Sequence, residues 1–177
     1  MKKILLITLL LLSFSSFARF QLKVAPVQFT LGVRNIDFGY LHDNFLLSAG
    51  VWEGSFVGIF NETKVSEQHL RLDYFFSGLK NSSWYLVGAI SKIDLEFIEE
   101  GFLTEDLTGE ESGTGYYFGG GYRWQWKSFF MEFGAQYIDY DIDTNIEVSS
   151  KDGSEVETAN LDYFRGIRAE YNLGWLF

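Results

Sequence analysis

The residues best suited to chemistry are three carboxylates spaced two apart, Asp139, Asp141 and Asp143. Such a run invites comparison with a calcium-binding EF-hand loop, which supplies oxygen ligands at alternate positions. That loop needs glycine at its sixth position and glutamate at its twelfth, where this chain has Thr144 and Ser150. Carboxylates two apart on a strand also point the same way without wrapping an ion. The run therefore predicts a solvated acidic rim, with loosely held divalent cations as the alternative.

The remaining polar motifs offer no reaction centre. The two histidines are His42, in a predicted short turn, and His69, which is followed two residues later by Arg71. Neither histidine stands beside a nucleophile that it could activate. Gly119-Gly120-Gly121 has no helix after it to hold a phosphate, and glycines within a strand commonly mark a bend. We therefore predict no enzyme, and no catalytic, cofactor-binding or metal-ligating residue.

The last eleven residues, 167–177, indicate which kind of secondary structure holds these polar residues in place. Side chains alternate faces along a strand, so every second residue here shares one face. A crossing of a bilayer by a tilted strand needs about 9–11 residues, which this segment supplies. The aromatic ending resembles the C-terminal strand of bacterial outer-membrane β-barrels, whose last aromatic belongs to the assembly signal. The resemblance implies recognition by the barrel assembly machinery through Tyr171, Leu173, Trp175 and Phe177.

The first eighteen residues predict a secretory signal peptide. Met1-Lys2-Lys3 is basic, the run from Ile4 to Leu12 is apolar, and Ser16-Phe17-Ala18 ends in a small residue suited to cleavage. Two domains are thus expected, the signal peptide 1–18 and a barrel 19–177. The chain has no cysteine and a formal net charge of −10. This acidity argues against a nucleic-acid partner, which requires a basic surface.

Apolar residues recur at period two along most of the mature chain, which favours strands over helices. In a membrane this pattern permits only a closed barrel, because every backbone polar group needs a partner. Closure with an even strand number predicts an all-β, antiparallel, eight-stranded up-and-down barrel. The expected strands lie near 19–26, 28–41, 45–60, 65–78, 83–98, 113–126, 128–148 and 159–177.

One hairpin can be predicted in register. A two-residue turn at Lys127-Ser128 pairs Trp126 with Phe129 and sets Arg123 opposite Glu132. A slip by one residue would move every side chain to the other face, so this register is strongly specified.

The expected interior of the barrel is charged. An eight-stranded barrel is just wide enough for side chains to fill it, and unpaired buried charges are costly. Charges of both signs should therefore pair, which predicts a plug and argues against a general pore. The inward charges expected are Arg71, Asp73, Lys92, Asp94, Arg123, Glu132, Asp162, Arg168 and Glu170.

The predicted connections differ at the two ends. Long acidic segments at 99–111 and 149–158 should face outside the cell, and short turns should face the periplasm. Within the seventh strand the apolar face changes at Asp139, which indicates a bulge or an exit from the membrane, and we favour exit. Outward aromatic pairs flank the short turns: Tyr40 and Phe45, Phe76 and Tyr85, and Trp126 and Phe129.

Across nearly all of its mature length, the chain resembles the small OmpA/OmpX-type outer-membrane barrels. The resemblance implies a monomer in the bacterial outer membrane that contacts lipids and lipopolysaccharide, the latter through divalent cations, and acts in envelope integrity or surface contact. One alternative is a lipid-A-modifying enzyme, although the strand His-x-Ser pair of the lipid A deacylases is His69-x-Arg71 here. The other is a narrow conduit for small apolar solutes, suggested by Ile138, Tyr140 and Ile142.

Overall fold

The computed structural model describes residues 19–26, 34–57, 61–78, 81–99, 107–143, 145–150, 156–160 and 165–177. These residues are almost wholly in strands. Within them no helix is long and apolar enough to cross a membrane. The predicted signal peptide lies outside the described residues and stays a prediction. The strands are β1 Arg19–Val24, β2 Arg34–His42, β3 Phe45–Val57, β4 Asn61–Phe75, β5 Ser83–Glu99, β6 Leu107–Trp126, β7 Phe129–Asp141, β8 Asn145–Ser149, β9 Val156–Asn160 and β10 Gly166–Leu176.

Eight of these strands close into a ring. Strands β1 to β7 pair antiparallel in order, β7 pairs with β10, and β10 pairs with β1. The ring has no open edge, as predicted for a barrel. Strands β8 and β9 form a separate hairpin, which meets β6 where Ser149 pairs with Thr108. The predicted seventh strand, 128–148, is thus divided into β7 and β8.

The β6–β7 hairpin has the predicted register. Trp126 pairs with Phe129, and Arg123 faces Glu132 across the two strands. Lys127 adopts a left-handed backbone with φ of 54°, as a two-residue hairpin turn requires.

The chemical switch in β7 is not a bulge. Even-numbered residues from Phe130 to Ile142 face the interior, and β7 keeps one register with both β6 and β10. Asp139 and Asp141 therefore continue the outer face that Phe133 and Tyr137 begin. This excludes the bulge, and the exit from the membrane stays our prediction.

The predicted faces of β5 are wrong. Tyr85, whose side chain was expected outside, is 1% exposed, whereas Trp84 is 65% exposed. Lys92 and Asp94 were expected inside, but their side chains are 63% and 48% exposed and pair with each other on the outer wall. Trp84 thus replaces Tyr85 among the aromatics beside the short turns.

The outer wall near the short turns is apolar, and its aromatic rim is largely as predicted. Large exposed apolar side chains at the short-turn end are Phe45, Phe76, Trp84, Trp126, Trp175 and Phe177.

The acidic connection between β5 and β6 is shorter than the predicted 99–111, because Leu107 to Glu111 extend β6 and pair with β5.

Candidate functional site in the barrel lumen

The short-turn end of the lumen is closed around Arg123. Its guanidinium carbon lies 4.2 Å from the Phe75 ring centroid and 4.0 Å from that of Phe130, so the cation is sandwiched between two aromatic faces. An apolar group, here named the short-turn cluster, surrounds it. Its members are Leu41, Leu46, Phe75, Tyr85, Val87, Phe130 and Leu176.

Arg123 is paired with Glu132 in a site without solvent access. Both side chains are 0% exposed, and Arg123 Nε and Nη2 donate to Glu132 Oε1 at 2.8 and 2.5 Å. Arg123 Nη2 also donates to Gln21 Oε1 at 3.0 Å. The predicted pair is therefore present, and charge-assisted hydrogen bonds of this kind are the stronger ones.

Glu170 joins this pair to the rest of the interior. Its carboxylate accepts hydrogen bonds from Arg71 and Gln136, and from Asn172 Nδ2 at 2.5 Å. Tyr85 Oη donates to it at 3.3 Å. One carboxylate thus contacts side chains of β4, β5, β7 and β10, which makes it the centre of the interior contacts.

Lys23 brings the shortest strand of the ring into the same group. Its Nζ lies 3.6 Å from Glu132, 3.7 Å from Glu170 and 4.0 Å from Asp37. Its side chain has no solvent access, so these three carboxylates compensate a fully buried cation.

Two further pairs complete what we call the lumen network. Asp37 Oδ1 lies 2.6 Å from His69 Nε2, and Arg71 Nε donates to Asp73 at 2.8 and 3.0 Å. Charges of both signs therefore meet in the lumen, as a filled barrel requires. The network comprises Lys23, Asp37, His69, Arg71, Asp73, Arg123, Glu132 and Glu170.

The structure brings together most of the predicted inward charges. Arg71, Asp73, Arg123, Glu132 and Glu170 belong to the network; Lys92 and Asp94 do not. The half-buried Arg168 lies with its guanidinium carbon 5.1 Å from the Trp52 ring centroid, and Asp162 is outside the described residues.

Lys23 and Asp37 also point inward, although neither is among the predicted inward charges. A signal existed for both, because Lys23 alternates with Leu22 and Val24, and Asp37 lies between the outward Ile36 and Phe38.

The other end of the lumen is apolar. Ile138, Tyr140 and Ile142 point inward as expected, but they are packed against side chains of the other strands rather than lining a channel. Tyr140 Oη donates to the buried Glu67 at 2.8 Å. This outer cluster comprises Trp52, Val65, Ile93, Leu95, Phe97, Leu107, Tyr117, Ile138, Tyr140, Ile142 and Val148.

A small cavity separates the lumen network from the outer cluster. Its volume is about 50 Å³, and Asp37, His69, Arg71, Glu170 and Trp52 are among its walls. A water molecule occupies about 30 Å³ in the liquid, so the cavity has room for one or two waters. Nη2 of Arg71 is buried and has no hydrogen-bond partner among the described residues, so it is available to such a water.

A serine, a histidine and an aspartate share one cross-strand row, and the histidine and the aspartate of this row line the cavity. His69 pairs with Ser91 across β4 and β5, and its Nε2 contacts Asp37 on β2. These residue types recur in nucleophilic catalysis. Ser91 Oγ makes no hydrogen bond to His69, however, and the cavity of about 50 Å³ has no room for an ester substrate. Sequence reasoning could not find the row, because its members are 22 or more residues apart.

Asp139, Asp141 and Asp143, which were predicted to form an acidic rim, are not gathered into a metal site. Asp139 pairs with Arg165 at 3.2 Å and accepts a hydrogen bond from Tyr116 at 2.9 Å. Across the part of the chain that the structure describes, no group of three or more His, Cys, Asp or Glu side chains is arranged to hold a metal ion.

Comparison with known proteins identifies the fold. No protein-family model and no curated protein matches the chain. The chain is similar to the N-terminal β-barrel domain of Pseudomonas aeruginosa OprF, with a TM-score of 0.55, 12% identity, and 90% of this chain and 96% of that chain covered. It is also similar to a major outer membrane protein from Thermus thermophilus, with a TM-score of 0.56, 9% identity, and 90% and 99% covered.

The chain has the fold of the small eight-stranded outer-membrane barrels. An outer-membrane barrel carries an apolar band outside and polar groups inside. Here Leu72 and Leu86 are 48% and 55% exposed on the outer wall, while Arg123 and Glu132 are 0% exposed in the lumen. This inverted arrangement is stable in lipid and not in water, so the protein is an integral outer-membrane barrel.

Proposed function

We propose that this outer-membrane barrel is a non-enzymatic, monomeric envelope protein whose acidic long loops make surface contacts. The filled lumen carries this proposal, because the Arg123–Glu132 pair, the lumen network and the outer cluster occupy the barrel from end to end. A barrel filled in this way offers solutes no path, so its function falls to the wall and the loops. The surroundings proposed as partners are outer-membrane lipids, lipopolysaccharide bridged by divalent cations, and the assembly machinery that reads the last strand.

The filled lumen predicts the absence of ion conductance. The purified barrel in a planar bilayer should give no stable channel at moderate voltage, because the polar and apolar barriers lie in series along the axis. Current recordings at about 1 M salt check this, with an open porin of the same host as the positive control. Stable unitary current steps from most inserted molecules would contradict the filled lumen and would favour the alternative function as a conduit.

The two alternatives fit the interior less well. A conduit for apolar solutes would need open space between Ile138, Tyr140 and Ile142 and the opposite wall, where Trp52, Ile93 and Leu95 pack. A lipid-A-modifying enzyme would need its acyl ester to reach Ser91, which is only 7% exposed and whose Oγ makes no hydrogen bond to His69. Both require a large rearrangement of the outer cluster, whereas the envelope role requires none.

The acidic loops predict a second result, on orientation. A protease specific for glutamate, added to intact cells, should cut the barrel at Glu100 or Glu105 if this connection faces outside. Glu99, Glu110 and Glu111 should resist, because they belong to the paired strands β5 and β6. Immunoblotting of an epitope inserted in the loop detects the cut. Cleavage only after the outer membrane has been opened would reverse the proposed orientation.

A further inference from the structure

The charges of the lumen network are unequal in number when its histidine is neutral. The permanent cations of the network are Lys23, Arg71 and Arg123. Its carboxylates are Asp37, Asp73, Glu132 and Glu170. Among the described residues, one negative charge is therefore in excess. A buried charge without compensation is costly, so this interior lacks one positive charge.

The nearest charges outside the network leave this excess unchanged. Two other charged side chains line the small cavity, Glu67 and Arg168. Glu67 is 3% exposed and accepts a hydrogen bond from Tyr140, and Arg168 is half-buried on β10. These two side chains add one charge of each sign. The missing positive charge is thus the same whether or not they are counted with the network.

His69 is placed to supply the missing charge. Its Nε2 lies 2.6 Å from Asp37 Oδ1, and the two side chains are 6% and 3% exposed. Gly50 on β3 pairs with both residues, and a Cβ atom there would lie 2.5 Å from Nε2 and 2.7 Å from Oδ1. Glycine at this position therefore leaves the space in which the two side chains meet. A protonated imidazole beside a carboxylate makes a charge-assisted hydrogen bond, which is stronger than a neutral one.

Charged or titratable side chains surround His69 on six strands of the ring. The other two strands, β3 and β5, place Gly50 and Ser91 beside it, and neither of these titrates near neutral pH. Histidine is the side chain whose charge ordinarily changes between pH 5 and 8, so it is the member of this group suited to carry a proton. The surrounding residues are Lys23 on β1, Asp37 on β2, Glu67 and Arg71 on β4, Tyr117 on β6, Tyr140 on β7, and Arg168 and Glu170 on β10.

We propose that His69 is an imidazolium in the folded barrel, so that the lumen network binds one proton when it forms. The proton supplies the fourth positive charge and ties β4 to β2 through Asp37. His69 also lines the small cavity, where water can deliver or remove the proton. Stability is then linked to pH, because the folded state holds a proton that the unfolded chain releases. This proton site concerns the lumen alone and exists whether or not the acidic loops bind a partner.

Nitrogen-15 NMR of the folded barrel in detergent observes the proton directly. The chain has two histidines, so selective labelling gives two imidazole spectra, and the variant His42→Gln assigns them. An ordinary imidazole is mainly neutral at about pH 8. His69 should instead have both ring nitrogens protonated at this pH. One protonated and one unprotonated ring nitrogen in His69 would overturn the proposal.

Unfolding in urea at a series of pH values measures the linkage. Above about pH 7 the unfolded chain has released its histidine protons, whereas the folded barrel keeps one, so its stability falls as the pH rises. This site should raise the unfolding equilibrium constant about tenfold per pH unit until His69 loses its proton. His69→Gln should remove this contribution, whereas His42→Gln, at the exposed histidine, should keep it. An unchanged pH dependence in His69→Gln would mean that the proton lies elsewhere.

A second substitution separates a missing charge from a missing contact. His69→Gln leaves the network with one carboxylate in excess, and Asp37→Asn in the same chain restores equal numbers of the two charges. At about pH 8 the double variant should have an unfolding equilibrium constant more than about tenfold lower than that of His69→Gln. The control is Glu96→Gln in the His69→Gln chain, which removes a carboxylate that is 45% exposed and should give no recovery. Equal recovery by the two second substitutions, or recovery by neither, would contradict the proposed charge balance.

A small cation held in the cavity is the competing source of the missing charge. Replacing sodium with a bulky organic cation at constant ionic strength should leave the stability of the parent unchanged, because the proton is part of the folded chain. Stability that follows the sodium concentration would assign the fourth positive charge to a bound ion and would overturn the role of His69.

Discussion

Replacing Arg123 with methionine is expected to lower the free energy of unfolding by about 3–5 kcal/mol. The substitution removes a buried cation from Glu132, whose side chain is 0% exposed, and leaves that carboxylate without its closest partner. It also removes the guanidinium from between Phe75 and Phe130. Lys23, 3.6 Å from Glu132, supplies part of the missing charge, so the lower half of this range is favoured. Urea unfolding in lipid vesicles measures the loss.

The double variant distinguishes a pair from two separate contributions. Arg123→Met with Glu132→Gln removes both charges, so it should cost much less than the sum of the two single changes. The control is the same cycle at the exposed pair Lys64 and Glu96, with side chains 45% exposed, where a coupling of about 0–1 kcal/mol is expected. A coupling below about 0.5 kcal/mol in the lumen would mean that the site is hydrated.

The fold could be predicted because, over the membrane-facing half, its strands place apolar side chains outside and mainly polar ones inside at alternate positions. Strand β10 alternates without interruption, and Ile167 and Phe177 are 83% and 72% exposed on its outer face. The hairpin of β6 and β7 gives its register because only one pairing keeps both apolar faces on the same side. Closure then supplies β1, whose six residues are too few to be recognised from their own alternation.

The errors arise where a strand leaves the lipid. Above the membrane the outer wall meets water, so apolar side chains move to the inside without any change in register. On β7 the inner face becomes apolar from Ile138, and the outer face becomes acidic from Asp139. Strand β5 undergoes the same change between Ile90 and Lys92. Because its inner face is apolar except for Ser83 and Ser91, the simplest alternation assigns that face to lipid.

The composition of the lumen network could be predicted only in part, for a related reason. Inward charges can be recognised on strands whose outer face is clearly apolar, such as Arg71 and Asp73 on β4. Which of them meet depends on pairings around the whole ring. Glu170 reaches Arg71, 99 residues away, through the closure of β10 onto β7 and β1. Single-strand periodicity contains no information on such contacts.

Glu170→Ala is expected to destabilise the barrel about as much as Arg123→Met, by about 3–5 kcal/mol. Its carboxylate is the acceptor for Arg71, Gln136, Asn172 and Tyr85, so its removal leaves several buried donors without their partner at once. It also leaves Lys23 with fewer compensating charges. Unfolding in urea, followed by tryptophan fluorescence in vesicles, gives the magnitude.

The matched control for this change is Glu96→Ala. Glu96 is also a strand glutamate 3.2 Å from a cation, Lys64, but both side chains are 45% exposed, so its loss should cost about 0–1 kcal/mol. Adding Lys23→Met to Glu170→Ala should recover part of the stability, because it removes a cation that the first change left undercompensated. Equal losses for Glu170→Ala and Glu96→Ala would show that water reaches the lumen network. The interior would then be a hydrated passage, and the filled barrel on which the envelope role is based would be wrong.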